Sequence, residues 1–361
     1  MCAENAMSKR MAGIFSLPLC HVASSQHPLD NISKVPDEKW EIVWVSGEPK
    51  DPNYFFVAEN KSRSLYALII RGSVICKGVF TQWDVFVDWI LEDMNAELVY
   101  WPFYDKEQNT SGDDLPCIGA GAYIAFTTMM KAKNKLPLGH NQLLHDFLIE
   151  KTGGMNNKEL IIAGHSLGGN MAKVYSSYYR EMLRAQNKSA DNITLCTFAA
   201  PASGNGAFAT DLNNKIDGQI HYQNTNDIVP HFPTYDGINA VSDLYNPSPA
   251  ASEIIVEYNQ KGEPVYLKQV LKGLAISFIQ ADYQQPEYDF LETFSAPLIN
   301  KNSSSENDMK ERFVESELNL WVDQAGAQHQ MDVYARYGVG VKLPDFDPQI
   351  LECNKKTLKA L

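Results

Sequence analysis

The spacing of apolar residues along the chain predicts strands that alternate with helices. Short apolar runs bounded by polar residues are typical of buried strands, and they occupy 40–45, 54–57, 65–70, 159–163, 193–198 and 219–223. Apolar residues at helical spacing occupy 80–91, 120–133, 142–151 and 171–184. Because strands that alternate with helices form parallel sheets, the pattern predicts an α/β fold with a mostly parallel central sheet and helices on both faces.

The segment 237–320 departs from this alternation. It combines strand-like residues at 253–258, a helical stretch near 267–279 and polar, Ser-rich residues at 300–308. We interpret it as an insertion before the last functional loop, with its Ser-rich part in a flexible surface loop. The chain then divides into a lead-in at residues 1–38, one domain at 39–345 that contains the insertion, and a tail at 346–361.

The N-terminal residues have the outline of a short signal peptide. Lys9 and Arg10 precede an apolar stretch at 11–20, but this stretch contains Pro18 and lacks a clear small-x-small cleavage site. The pattern leaves a cytoplasmic and a secreted location open. No apolar run reaches the length of a membrane span, and the spacing of the six cysteines favours scattered free thiols over a disulfide framework or a zinc site.

Composition and charge narrow the range of partners. A hydrophobic content of 44% is enough for a sizeable core. The 31 Lys and Arg against 44 Asp and Glu give a net charge of −13, which is spread along the chain and argues against a nucleic-acid partner. This charge also disfavours strongly anionic membranes, although a local apolar face can still meet a neutral lipid surface.

A glycine-rich turn carries the first candidate for chemistry. The run Gly-His-Ser-Leu-Gly-Gly occupies 164–169, between a predicted strand and a predicted helix. Its glycines permit a turn tight enough to present Ser166 above the sheet edge, and the N–H groups of the following helix favour developing negative charge. This context predicts that Ser166 is the nucleophile of a serine hydrolase.

A nucleophilic serine needs a histidine to accept its proton and a carboxylate to orient that histidine. In α/β hydrolases the order along the chain is serine, acid, histidine. Asp227 follows the predicted strand at 219–223, at the sheet edge where such sites form, and is the preferred acid. The other aspartates considered, Asp191, Asp211 and Asp236, are interpreted as helix caps or solvated charges.

Two histidines follow Asp227 in the chain, His231 and His329. His231 comes four residues after Asp227 and shares its loop, which hinders an approach to Ser166 from the opposite side. His329 is therefore preferred. It lies in the run 326–334, which we interpret as a loop that enters a final helix.

Taken together, these motifs resemble the class 3, or fungal-type, triacylglycerol lipases. The matching runs are Arg71-Gly72-Ser73, Asp88-Trp89, 164–169, 198–205, 226–230 and 329–334, and they span about 54–236 and 321–338 in the family's order. The resemblance implies an α/β-hydrolase fold and a triad of Ser166, Asp227 and His329. It also implies an oxyanion hole formed by Ser73 and the backbone N–H of Leu167, and it requires no metal or other cofactor.

Some positions depart from the family pattern. Asn170 replaces a usual alanine, and Ala199 replaces a usual glycine. The family's lid follows the Arg-Gly-Ser run, which here gives 74–87, although the apolar face of this segment is equally compatible with permanent packing on the core. The aromatic run 100–104 is a second candidate for gating or acyl contact.

The leading hypothesis is hydrolysis of the ester bonds of acylglycerol-type lipids through an acyl-serine intermediate, with transient contact to a lipid surface. The same scaffold also supports a phospholipase A1 or a short-chain or feruloyl esterase. A third hypothesis, from a different class, is a hydrolase-like binding protein without activity.

Overall fold

The structure, a computed structural model, describes residues 8–36, 39–72, 75–76, 95–107, 115–153, 158–245, 250–299, 314–346 and 350–351. We number its strands in chain order. They are β1 Glu41–Val45, β2 Phe55–Asn60, β3 Leu65–Ile70, β4 Ile75–Cys76, β5 Leu98–Tyr100, β6 Cys117–Gly119, β7 Glu159–His165, β8 Ile193–Phe198, β9 Gly204–Asn205, β10 Gln219–Asn224, β11 Ile255–Tyr258, β12 Pro264–Tyr266, β13 Tyr283–Gln284, β14 Leu291–Phe294 and β15 Ile350–Leu351.

The α-helices are numbered in the same way. They are α1 Lys9–Ala23, α2 Pro28–Asn31, α3 Ala120–Lys131, α4 Leu144–Thr152, α5 Leu167–Ala185, α6 Gly206–Lys215, α7 Tyr235–Val241, α8 Leu267–Ser277, α9 Val314–Gln328 and α10 Met331–Val333. Single 3-10 turns occupy Ile32–Lys34, Val229–His231, Ile279–Ala281 and Tyr288–Phe290, and a π-helical segment occupies Tyr334–Val339.

Seven strands form the central sheet in the order β1-β2-β3-β7-β8-β10-β14. The pairs from β3 to β14 are parallel, whereas β1, β2 and β3 pair antiparallel. The expected α/β fold with a mostly parallel sheet is therefore confirmed. Because the parallel strands all end at one edge, the residues that follow β7, β8 and β10 lie close together there.

Both faces of the sheet are covered. Side chains alternate along β7, so that Ile161 packs on one face while Leu160 and Ile162 pack on the other. Helices α3, α4 and α5 cover the face of Ile162. Helix α1 covers the face of Ile161.

The packing of α1 is close. A Cβ built on Gly13 would lie 2.5 Å from the hydroxyl oxygen of Tyr222 on β10, so the helix approaches the sheet at a position without a side chain. Leu17, Leu19 and Val22 are fully buried. The apolar stretch with the outline of a signal peptide is thus part of the core in the folded chain.

The segment 237–320 packs with residues of the main domain in one apolar cluster. The strand at β11 and the helix at α8 confirm the elements predicted there. One difference is that β14, which the pattern did not predict, joins the central sheet beside β10. Ile228 beside the acid, Leu271 of α8 and Trp321 of α9 belong to one apolar cluster, so the insertion supports both the acid loop and the helix before His329.

Candidate active site

The turn that carries Ser166 requires its glycines for steric reasons. Ser166 adopts φ 59° and ψ −132°, a region that is rare for residues with a side chain and that costs about 1–3 kcal/mol. A Cβ on Gly164 would lie 2.2 Å from the carbonyl carbon of Gly168, and a Cβ on Gly168 would lie 2.1 Å from the carbonyl oxygen of Ile70. Helix α5 begins at Leu167, four residues earlier than predicted, because Ser166 itself is the N-cap residue.

His329 bridges the serine and the acid. Its Nε2 lies 2.9 Å from Ser166 Oγ, and its Nδ1 lies 2.8 Å from Asp227 Oδ2. An ionised carboxylate only accepts hydrogen bonds, so Nδ1 carries the hydrogen and the Nε2 lone pair faces the serine hydroxyl. All three side chains are buried. The structure thus brings together the three residues that the sequence indicated, in a geometry suited to transfer of the serine proton.

The carboxylate of Asp227 has further donors that hold it in place. Tyr334 Oη donates to Asp227 Oδ2 at 2.7 Å, and the Val229 N–H donates to Oδ1 at 2.9 Å. Burial, together with the charge of Asp227, raises the pKa of Tyr334 well above its usual value, so Tyr334 remains a donor. Asn224, the last residue of β10, contacts the residue that precedes His329, because its Nδ2 donates to Gln328 Oε1 at 2.8 Å.

His165 contacts both the backbone and the ring of His329. Its Nε2 donates to the backbone oxygen of His329 at 3.0 Å, and the two rings lie 4.7 Å apart between centroids. Burial lowers the pKa of His165 well below its usual value, and the nearby His329 ring lowers it further. A neutral His165 therefore adds no positive charge beside the His329 ring. Sequence reasoning missed this role and that of Tyr334, although both residues lie within the matching runs.

The expected oxyanion hole falls partly outside the described residues. Leu167 is the first residue of α5, where a backbone N–H has no acceptor within its own helix. Ser73 lies outside the described residues. The preceding Gly72 is close to the nucleophile, since a Cβ built on it would lie 3.1 Å from Ser166 Cβ and 2.7 Å from the His165 oxygen. The roles of Ser73 and Leu167 remain predictions.

The alternative acids and histidine lie elsewhere. The Nε2 of His231 is 3.5 Å from the Thr225 oxygen. Asp236 is in the first turn of α7, as a helix-capping charge would be. The prediction for Asp211 is wrong: it is buried within α6 and pairs with Lys215 at 2.8 Å. The sequence did not indicate that Asp211 and Lys215 are buried, because their burial depends on tertiary packing. Helix α5 and the loop 103–105 both contact this pair on α6.

The run 326–334, interpreted as a loop that enters a final helix, holds a shorter connection than expected. Helix α9 extends to Gln328, and the final helix α10 begins at Met331, so only His329 and Gln330 lie between them. The candidate lid at 74–87 lies outside the described residues, apart from the backbone of β4. In the aromatic run 100–104, Trp101 is fully buried and packs edge-on against Phe126, whereas Tyr100 is exposed.

The described residues contain no cluster of three or more His, Cys, Asp or Glu side chains that could hold a metal ion. Within the same ranges, no helix has both the length and the apolar character needed to cross a membrane.

Comparison with known proteins places this geometry in a family. A family model described as Lipase (class 3) matches residues 68–237, a range that contains Ser166 and Asp227 in the expected order. Residues 68–237 of the chain are thus similar to the class 3 lipases. The match identifies a serine hydrolase that acts on carboxylic esters. His329 lies beyond the matched range, after the insertion.

Solved structures of lipases are similar to this chain. The Rhizomucor miehei triacylglyceride lipase has a TM-score of 0.43 and 20% identity, with 64% of this chain and 77% of that chain covered. The lipase from Rhizopus microsporus var. chinensis has a TM-score of 0.42 and 18% identity, with 64% and 72% covered. The crystal structure of M37 lipase has a TM-score of 0.67 and 18% sequence identity, with 92% of each chain covered. The similarity to M37 lipase confirms the expected α/β-hydrolase fold.

Proposed function

We propose that the chain is a class 3 lipase that hydrolyses the ester bonds of acylglycerol-type lipids through an acyl-Ser166 intermediate. The observation that carries the proposal is the continuous hydrogen-bond chain from Ser166 Oγ through His329 to Asp227, at 2.9 and 2.8 Å. These three side chains are buried, and little water therefore screens the electrostatic interactions between them.

In the first half-reaction, Ser166 Oγ attacks the ester carbonyl carbon as its proton moves to His329 Nε2. The carbonyl oxygen becomes an oxyanion, for which we propose Ser73 and the N–H of Leu167 as donors. The intermediate then collapses. The C–O bond to the alcohol breaks, and His329 gives its proton to the departing alcohol oxygen.

In the second half-reaction, water attacks the acyl carbon of the acyl-enzyme. His329 takes a proton from this water and returns it to Ser166 Oγ as the carboxylic acid leaves. Asp227 stays ionised throughout and stabilises the imidazolium. The hydrogen bond from Tyr334 to Asp227 supports that role, since it compensates the burial of the charge.

An exposed apolar surface supports a lipid substrate. Ile276 at the end of α8 is 63% exposed, and Ile279 one turn later is 52% exposed. Beside them lies a cavity of about 510 Å³, whose lining includes Phe232 of the acid loop and Phe278. The segment 264–281 contains two lysines and no acidic residue in a chain of net charge −13. We propose that this surface contacts lipid aggregates.

The test uses esters of one alcohol with acids from acetate to palmitate, assayed below and above the concentration at which each ester aggregates. We expect longer esters to be cleaved, with a rise in rate when they aggregate. Cleavage confined to short, dispersed esters would contradict the proposal and favour a short-chain esterase. Release of acyl chains from phosphatidylcholine but not from triacylglycerol would favour a phospholipase A1.

A matched pair of variants tests the contact surface in the same assay. The double variant Ile276→Ser and Ile279→Ser should lose the rise in rate on aggregated ester and keep its rate on dispersed ester. Ile124 and Leu138 are also exposed aliphatic residues, at 60% and 84%, and their replacement by serine is the control. Equal behaviour of the two double variants would contradict the assignment of this surface.

A further inference from the structure

Lys173 is a buried lysine on the helix that begins after Ser166. It lies two turns along α5 and is only 1% exposed. Its Nζ donates to two neutral oxygens, the Pro201 carbonyl at 2.7 Å and Gln285 Oε1 at 3.1 Å. Burial lowers its pKa to about 7. No ion pair joins Lys173 to a carboxylate of the described residues, and burial of an ammonium group without such a partner is costly. The two hydrogen bonds that it donates therefore point to a role for Lys173.

Both the oxygen and the nitrogen of the Gln285 side-chain amide form hydrogen bonds. Its Oε1 accepts from Lys173, and its Nε2 donates to the Ala200 oxygen at 3.0 Å and to the Pro230 oxygen at 2.7 Å. Gln285 directly follows β13, within the inserted segment. The amide therefore joins the insertion to two loops and one helix of the main domain.

Each group bound by this amide belongs to an element of the catalytic edge. Ala200 follows β8, the strand whose Phe198 oxygen accepts from the Ser166 N–H at 2.9 Å. Pro230 lies three residues after Asp227. Ala199 adopts φ 53°, a left-handed conformation that favours glycine, so the loop after β8 holds a conformation that costs about 1–2 kcal/mol.

We propose that Gln285 and Lys173 are positioning residues that hold the acid loop in register with the nucleophile. The inference rests on the proposed triad. His329 bonds Ser166 and Asp227 simultaneously only while the loop after β10 and the start of α5 keep their separation. A displacement of about 1 Å in such a site is enough to lower the rate about a hundredfold. Gln285 joins these two elements, because its amide accepts from Lys173 of α5 and donates to Pro230 of the acid loop.

The test compares two neighbouring glutamines. Gln285→Leu keeps similar volume and removes the three hydrogen bonds. Gln284→Leu is the matched control, because Gln284 is exposed and its amide donates to Asp282. For a soluble short ester we expect Gln285→Leu to lower kcat about tenfold to a hundredfold. Its KM should stay within about twofold, because the ester itself is not bound by Gln285, and Gln284→Leu should match the wild type.

Gln285→Glu provides a second variant for the case in which Gln285→Leu does not fold. It retains an acceptor for Lys173 and loses the donors to Ala200 and Pro230, so kcat should fall in the same way. Active-site titration with a fluorophosphonate gives kcat per reactive serine, which partial unfolding alone leaves unchanged. An unchanged kcat per titrated site in both Gln285 variants would overturn the positioning role. Inactive wild type and Gln284→Leu would instead contradict the proposed function.

Discussion

Replacement of Ser166 by alanine is expected to lower kcat for ester hydrolysis by about six orders of magnitude. The hydroxyl is the atom that forms the acyl bond in the proposed reaction, and its oxygen lies 2.9 Å from His329 Nε2, the proposed proton acceptor. The substitution removes one oxygen at a turn whose backbone is fixed by its glycines, so the fold should be retained. Steady-state hydrolysis of a soluble ester and circular dichroism check the two parts.

The companion variant is His329→Ala. Residues that act as one unit give losses that do not add, so the double variant with Ser166→Ala should be no slower than either single variant. A double variant with a much larger loss than the two single variants would indicate that Ser166 and His329 act independently, which contradicts the shared proton transfer.

The largest expected effect on stability is that of Lys215→Met, which should lower the free energy of unfolding by about 3–5 kcal/mol. Lys215 and Asp211 are 2.8 Å apart, with side chains only 2% exposed. Loss of the ammonium leaves the Asp211 carboxylate buried without its partner. Urea denaturation of both proteins at neutral pH measures the difference.

The dependence of this loss on pH has a definite sign. Burial already raises the pKa of Asp211, against the lowering effect of Lys215, so removal of Lys215 raises that pKa further. The folded variant then binds a proton more readily than the unfolded chain, and its deficit should shrink as the pH falls towards that pKa. The double variant Lys215→Met and Asp211→Asn should recover most of the stability. A double variant less stable than Lys215→Met would contradict the account.

The sequence was most informative where a feature is local. The strands β3 and β8 were predicted with their observed bounds, because both lie in the middle of the sheet, are buried on both faces and consist mainly of apolar residues. Ser166 and Asp227 were indicated by turns at strand ends, and His329 by its order in the chain. The structure brings His329 within hydrogen-bonding distance of both other side chains.

Features that depend on tertiary contacts were not visible in the sequence. The pairing of β14 with β10 and the burial of α1 require the whole sheet to be assembled. The bridge from Lys173 to Gln285 joins residues 112 positions apart. Asp211 resembles a solvated charge until the partner on its own helix and the neighbouring α5 bury it.

The most direct test of the proposed triad is the mass of the protein after reaction with a fluorophosphonate, followed by peptide mapping. We expect one adduct per chain on Ser166, no adduct on Ser166→Ala, and much slower labelling of His329→Ala, whose serine lacks a proton acceptor. An adduct on another residue, or an unlabelled wild-type protein that still hydrolyses esters, would contradict the proposed triad.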